Sequence, residues 1–318
     1  MLKRILVLLF FLFLSSPVLA GPLCASCGKA ITGSYVGAMG KAFHPDHFRC
    51  GLCQGVLGRE FFPKDGVPFH KPCYLEKFGL RCSICQSPIE GKYMQDYWGD
   101  RFHPEHLSNH PFCHYCNRPI TKDKSDGGFR ISDGRVLCGF CAKTAVLDQK
   151  TAEKYFQEAR NLMKSWGLLV PQEKIPVFLV NKEKLPSSSF GADDVLGRIL
   201  NVVQGKKKSI NSIYMLYGLP REAYMGAVVH ELMHGWIFFN TELRHSPALE
   251  EGACNYLSFL YYHYKGEKAA AYFEYRLEKN ENSVYGEGFR RVKAIAARNG
   301  SNAVLELLKK NEDFPPGD

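Results

Sequence analysis

The residues best placed to do chemistry are His230-Glu231-Leu232-Met233-His234. Histidines four apart share one face of a helix, so both imidazoles can reach a single ion while the intervening glutamate sits beside it. The neighbours Ala227, Val228, Val229, Leu232 and Trp236 mark a buried helix. Two titratable rings in such a helix would be costly without a compensating metal. A hydrolytic zinc needs three protein ligands and one open position, so a third ligand must come from elsewhere.

Ser246-Pro247 is a helix start, with serine as N-cap and proline at the first helical position. The helix then reads Ala248-Leu249-Glu250-Glu251-Gly252-Ala253-Cys254-Asn255-Tyr256. This resembles the second metal-binding helix of gluzincin peptidases, where a glutamate followed by small residues packs against the H-E-x-x-H helix. The resemblance implies Glu251 as third ligand, with Glu250 the alternative. It implies that Asn255 orients His230, against the plainer reading of an exposed asparagine. Glu231 is then the general base for metal-activated water. Tyr285, in Val284-Tyr285-Gly286-Glu287-Gly288, is the expected oxyanion donor, against simple aromatic packing, the glycines leaving room for substrate. Cys254 reads as a small buried hydrophobe. His245 and His263 read as ordinary loop or surface histidines.

A second kind of metal chemistry fills the first half. Cys24-x2-Cys27 is followed by sixteen residues, His44-x2-His47, two residues, Cys50-x2-Cys53, sixteen residues and His70-x2-Cys73. Disulfides make no use of histidine, whereas closed tetrahedral zinc sites do, and they supply the folding energy so small a core lacks. The unit resembles a LIM domain, through Phe43-His44-Pro45, Phe48-Arg49-Cys50 and Pro72-Cys73-Tyr74, with His47 standing where LIM domains usually carry cysteine. A second, LIM-like unit has Cys82, Cys85, His103 and His106 as one ligand set and Cys113, Cys116, Cys138 and Cys141 as the other. Residues 107–112 are an insertion there, and His110 or His114 could replace His106. The aromatics Phe43, Phe48, Tyr74 and Phe102 read as mini-core.

The elements that position the catalytic residues follow Cys141. Residues 144–166 have helical spacing, with Tyr155, Phe156, Ala159, Leu162 and Met163 on the apolar face. Ile175 to Val180 reads as a short strand, and residues 198–217 as a hairpin turning at Gly205-Lys206-Lys207-Lys208. That lysine run reads as a solvated turn. The strand Ser209 to Tyr217 is expected to pair with an extended substrate along its edge. Pro220 opens the H-E-x-x-H helix as its first residue.

Residues 1–20 read as a secretory signal peptide: Lys3 and Arg4, the apolar run Ile5 to Leu14, then Val18-Leu19-Ala20 before Gly21. The expected localisation is secreted or periplasmic, with no stable membrane span after cleavage. The formal charge of +9 falls to about +4 once the leader is gone and eleven thiolates are balanced by four zinc ions. No concentrated basic helix accompanies it, so no nucleic acid is expected as partner.

The order of these segments, through Leu216-Tyr217-Gly218-Leu219-Pro220, H-E-L-M-H-G-W, L-E-E-G-A-C and Tyr285-Gly286-Glu287-Gly288-Phe289-Arg290, is similar to that of the LIM-domain zinc metallopeptidases known from plants, where members restrict organ growth. The signal peptide departs from the intracellular plant members, so the expected reading is an exported, bacterial-type member of that family. The expected architecture is multidomain: a signal peptide (1–20), a LIM domain (21–79), a LIM-like domain (80–143) and an α+β gluzincin metallopeptidase domain (144–318). The expected cofactor is Zn(2+), about five ions per chain, four structural and one catalytic. The partners are a protein or peptide substrate and a protein bound through the LIM modules, which recruit substrate or regulate access. The competing class is a LIM-based adaptor with an inactive peptidase domain.

Overall fold

The computed structural model describes residues 21–186 and 195–316. The expected signal peptide lies outside the described residues. Among them, no helix is long and apolar enough to cross a membrane. The chain forms two compact units. One runs to Arg81 and includes Ser87–Gly91; the other holds Cys82–Gln86 and everything from Lys92 onward.

The first unit is built of two-stranded hairpins. Val36–Ala38 pairs with Lys41–Phe43, and Phe62–Lys64 with Val67–Phe69, before the helix Lys71–Phe78. Its own small core gathers Ile31, Phe43, Phe48, Leu57 and Phe69, with Tyr74 packed alongside. So few apolar residues leave the zinc sites to stabilise much of the fold.

The second unit begins with two more hairpins, Met94–Gln95 with Arg101–Phe102 and Gly128–Arg130 with Val136–Cys138. Elements are labelled from the segment that follows. Helix α1 is Gln149–Ser165, β1 is Val177–Val180, β2 is Gly197–Gln204, β3 is Lys207–Leu216, α2 is Arg221–Asn240 and α3 is Pro247–Lys265. Then come α4 (Lys268–Glu278), α5 (Gly288–Asn299) and α6 (Asn302–Lys310). Asp148 caps α1 by accepting from the Thr151 amide at 2.8 Å, so the helix starts later than residue 144. The residues before it form a bridge instead, Ala145 lying opposite Pro220. Phe156, Ala159 and Met163 are buried on α1 as the spacing predicts, with Ala152 beside them.

The sheet has the order β2-β3-β1. β2 and β3 are antiparallel, and β3 and β1 are parallel. Both edges of β3 are therefore occupied, which overturns the expectation that the Ser209–Tyr217 strand offers an edge to substrate. Among the described residues, no strand pairs with the outer edge of β2. At the other side of the sheet, the Gln149 side chain donates to Val177 O (2.6 Å) and accepts from Leu179 N (3.2 Å), covering the edge of β1. The hairpin turn is only Gly205-Lys206, with φ +61° at Gly205, as a two-residue II′-type turn requires. Lys207 and Lys208 thus belong to β3. Lys208 Nζ is held by Thr241 O (3.0 Å) and Glu242 Oε1 (2.8 Å), so it is not a free turn cation.

α2 is buried on nearly every face, which is how a helix at the centre of a core reads. Pro220 stands one place earlier than expected, as its N-cap. Ser246 caps α3 by accepting from Leu249 N, and Gly266 ends it at φ +62°. One core runs from Cys113, Cys116, Cys138 and Cys141 through Val146 and Leu219 into α2 and α3. The backbone is continuous there too: Val146 N donates to Leu219 O and Arg221 N to Thr144 O.

Candidate metal centre

Helices α2 and α3 pack side by side and bring the proposed ligands together. His230 Nε2 lies 3.1 Å from Glu251 Oε2, and His234 Nε2 lies 3.5 Å from the same oxygen. A tetrahedral zinc with bonds of 2.0–2.1 Å sets its ligand atoms about 3.3 Å apart. The two distances to Glu251 Oε2 bracket that spacing. Glu251 is 4% exposed. Burial opposes its charge, but the hydrogen bonds from His230 and His234 prevail and hold its carboxyl well below the usual carboxylate range.

The outer nitrogens of both rings are also held. His230 Nδ1 donates to Asn255 Oδ1 at 3.0 Å, the role the gluzincin resemblance implies for Asn255. His234 Nδ1 donates to Glu250 Oε1 at 2.9 Å. Glu250, the alternative ligand, is therefore placed on the ring nitrogen away from Glu251, where a carboxylate fixes the tautomer and raises ligand basicity. Sequence reasoning missed this function. The ligand atoms of His230, His234 and Cys254 also lie within 4.8 Å of one another. Cys254 is fully buried, and burial pushes its thiol up to about 12.

Glu231, 6% exposed, is tied by Oε2 to the Ile199 amide of β2 at 2.8 Å. Tyr285 lies on a π-helical turn, Ser283–Glu287, and its hydroxyl donates to Glu251 Oε1 at 3.5 Å. The Asn282 side chain accepts from the Tyr285 amide, and Asn255 Nδ2 donates to Tyr285 O, so the turn is fastened to α3. The nearby glycines do not clear a path for substrate as expected. A Cβ on Gly286 would stand 1.9 Å from Asn280 O, and one on Gly288 2.2 Å from Ala248 O. Gly252 likewise meets Gly288, with 2.5 Å to its carbonyl carbon, rather than α2. These glycines let backbone segments touch.

The four remaining ligand sets also converge. Cys24, Cys27, His44 and His47 form one group, and Cys50, Cys53, His70 and Cys73 the next. Cys82, Cys85, His103 and His106 form the third, and Cys113, Cys116, Cys138 and Cys141 the fourth. Cys27 Sγ to His44 Nδ1 is 3.6 Å, Cys24 Sγ to His47 Nδ1 3.6 Å and Cys85 Sγ to His103 Nδ1 3.5 Å. Zinc bonds of 2.3 Å to sulfur and 2.0–2.1 Å to nitrogen predict about 3.6 Å. His70 Nδ1 approaches Cys53 Sγ at 3.3 Å while its Nε2 donates to Val56 O. His110 is used otherwise, donating to Ile120 O at 2.9 Å.

Comparison with known proteins agrees with these two halves. The LIM domain family matches residues 24–78, and the DA1-like family, described as Protein DA1, matches residues 141–271. Protein DA1-related 2 of Arabidopsis thaliana is 25% identical over 370 residues, covering 92% of this chain and 70% of the relative. Protein DA1 of the same plant is 23% identical, covering 92% and 68%. A LIM domain-containing protein of Dictyostelium discoideum is 36% identical over 121 residues, covering 38% of this chain and 61% of its own. The cysteine and histidine clusters, with their zinc-like spacing, are those of zinc-binding modules, and the chain carries a LIM domain followed by a DA1-like region.

Proposed function

We propose that this protein is a zinc-dependent peptidase whose centre is held by His230, His234 and Glu251. The observation that carries the reading is the convergence of both Nε2 atoms on Glu251 Oε2. Zinc there would supply Lewis acidity and a lowered pKa for bound water. Glu231, with Oε2 fixed by the Ile199 amide, takes the proton of the attacking water and returns it to the leaving amine. Asn255 and Glu250 accept from the two Nδ1 atoms, which in neutral imidazoles would leave both Nε2 lone pairs for the metal. Tyr285 places a hydroxyl at the same carboxylate, within reach of a developing oxyanion. The four Cys/His sets hold structural zinc, giving five ions per chain. The LIM module serves substrate or partner recruitment, and the leader sends the protein out of the cytoplasm.

Zinc stoichiometry tests the site independently of turnover. The full chain should carry five ions, and Glu251→Ala or His234→Ala should carry four with the same melting profile. Five ions retained in both variants would move the fifth site elsewhere.

A further inference from the structure

The general base sits against a strand, and the contact is specific. Ile213 of β3 donates its amide to Pro176 O, on the β1 side. The backbone groups of one strand residue face the same neighbour, so Ile213 turns away from β2. Its partner Ile199 must then point its own N–H and C=O away from β3, toward the outer edge. That outward amide is the one Glu231 Oε2 accepts from, at 2.8 Å in a buried position. Two residues earlier on the same side is Gly197. A Cβ there would lie 3.1 Å from Glu231 Cγ, 2.9 Å from Met215 Sδ and 3.2 Å from Met215 Cε. Gly197 does not need its freedom of φ, because it is not among the positive-φ glycines. What it provides is space, filled by the Met215 thioether and the stem of Glu231.

We propose that Gly197 and the Ile199 amide form a positioning element for Glu231: the glycine leaves room for the side-chain stem, and the amide fixes one carboxylate oxygen, leaving the other for water. This rests on the peptidase reading for its purpose but not for its geometry. An acid–base group misplaced by about 1 Å can lose about 100-fold in rate, so the room at Gly197 sets turnover rather than affinity.

Two measurements on the zinc-loaded full chain test it. The first is hydrogen exchange at the Ile199 amide. On the outer sheet edge it should be slowed about 100-fold, lose that protection in Glu231→Ala, and keep it in Glu231→Gln, whose Oε1 still accepts. Rapid exchange in the wild type, or protection that survives Glu231→Ala, would overturn the proposal. The second isolates the glycine. Met215→Val removes the two sulfur-side contacts, and Gly197→Ala added to it should lower kcat about 10-fold or more with KM and zinc content unchanged. An unchanged kcat would overturn the role of Gly197. If the wild type cleaves no peptide at all, the peptidase reading fails while the exchange experiment still decides the positioning.

Discussion

The two zinc modules use nearly the same ligand grammar and are built into the molecule in different ways. In the first, Cys27 and Cys53 are exposed, and the core is a separate small cluster. In the second, all four cysteines of the last lobe are buried and share one core with the H-E-x-x-H helix. The side chains of Arg135 and Asp133 are 4% and 1% exposed and pair at 2.6 Å. Arg135 also donates to Tyr217 O at the end of β3, and Asp133 accepts from Lys182 N after β1. The Tyr97 ring meets Tyr272 of α4 edge-on, the Trp98 ring packs tilted against it, and Trp98 Nε1 donates to Cys116 O. The first module therefore has a small core of its own. The last lobe of the other belongs to the core that also holds the H-E-x-x-H helix, so "two LIM modules" describes their ligands but not their packing.

The largest expected effect separates them directly. Cys138→Ser should remove one zinc and unfold the second unit with it, a loss of several kcal/mol or more, on the order of structural zinc energies. Cys27→Ser should remove one zinc and leave the melting of the second unit unchanged. Calorimetry with zinc counting reads both, and equal effects would erase the distinction.

Next in size is the buried ion pair. Arg135→Met strands Asp133 and should destabilise the second unit by about 3–5 kcal/mol, while Arg135→Met with Asp133→Leu should recover most of it. Arg135 holds the Asp133 carboxyl below its ordinary value. That stabilisation is present above the unfolded carboxyl pKa, about 3.9, and is lost as pH falls through the lower folded value. At saturating zinc, acid unfolding of Arg135→Met should therefore begin at higher pH than in the wild type. Coincident acid transitions would remove the pair from the account.

Smaller again is Asn255→Ala, which frees His230 and the Tyr285 turn. It should weaken zinc at the fifth site about 10- to 100-fold and leave the four structural ions in place. Chelator competition measures this, and an unaltered fifth affinity would make Asn255 a packing residue only.

Much of this was legible from residue types and spacing. The x2 pairs announced their ligand sets, the four-residue histidine spacing announced α2, and Ser246-Pro247 announced α3. Three things were not. Glu250 and Glu251 are adjacent acids, and only the facing of α3 against α2 decides which meets Nε2 and which meets Nδ1. Gly286 and Gly288 look permissive toward substrate and Gly252 toward the H-E-x-x-H helix, yet what fills their space is another backbone. The β3 strand alternates well, but strand order is a long-range property, and local pattern cannot say which strand keeps an open edge. The fusion of the second module into the core rests on Asp133 and Arg135, two charges that read as surface until their burial is seen.

The central claim is hydrolysis by Glu231 at a metal centre separate from the structural zinc. The most direct measurement purifies the protein and its Glu231→Gln variant, counts zinc in both and incubates both with a mixed peptide library. Five zinc ions in each, with cleavage by the wild type alone, is the predicted result. Five ions in each with no cleavage by the wild type, or equal cleavage by both, would contradict it.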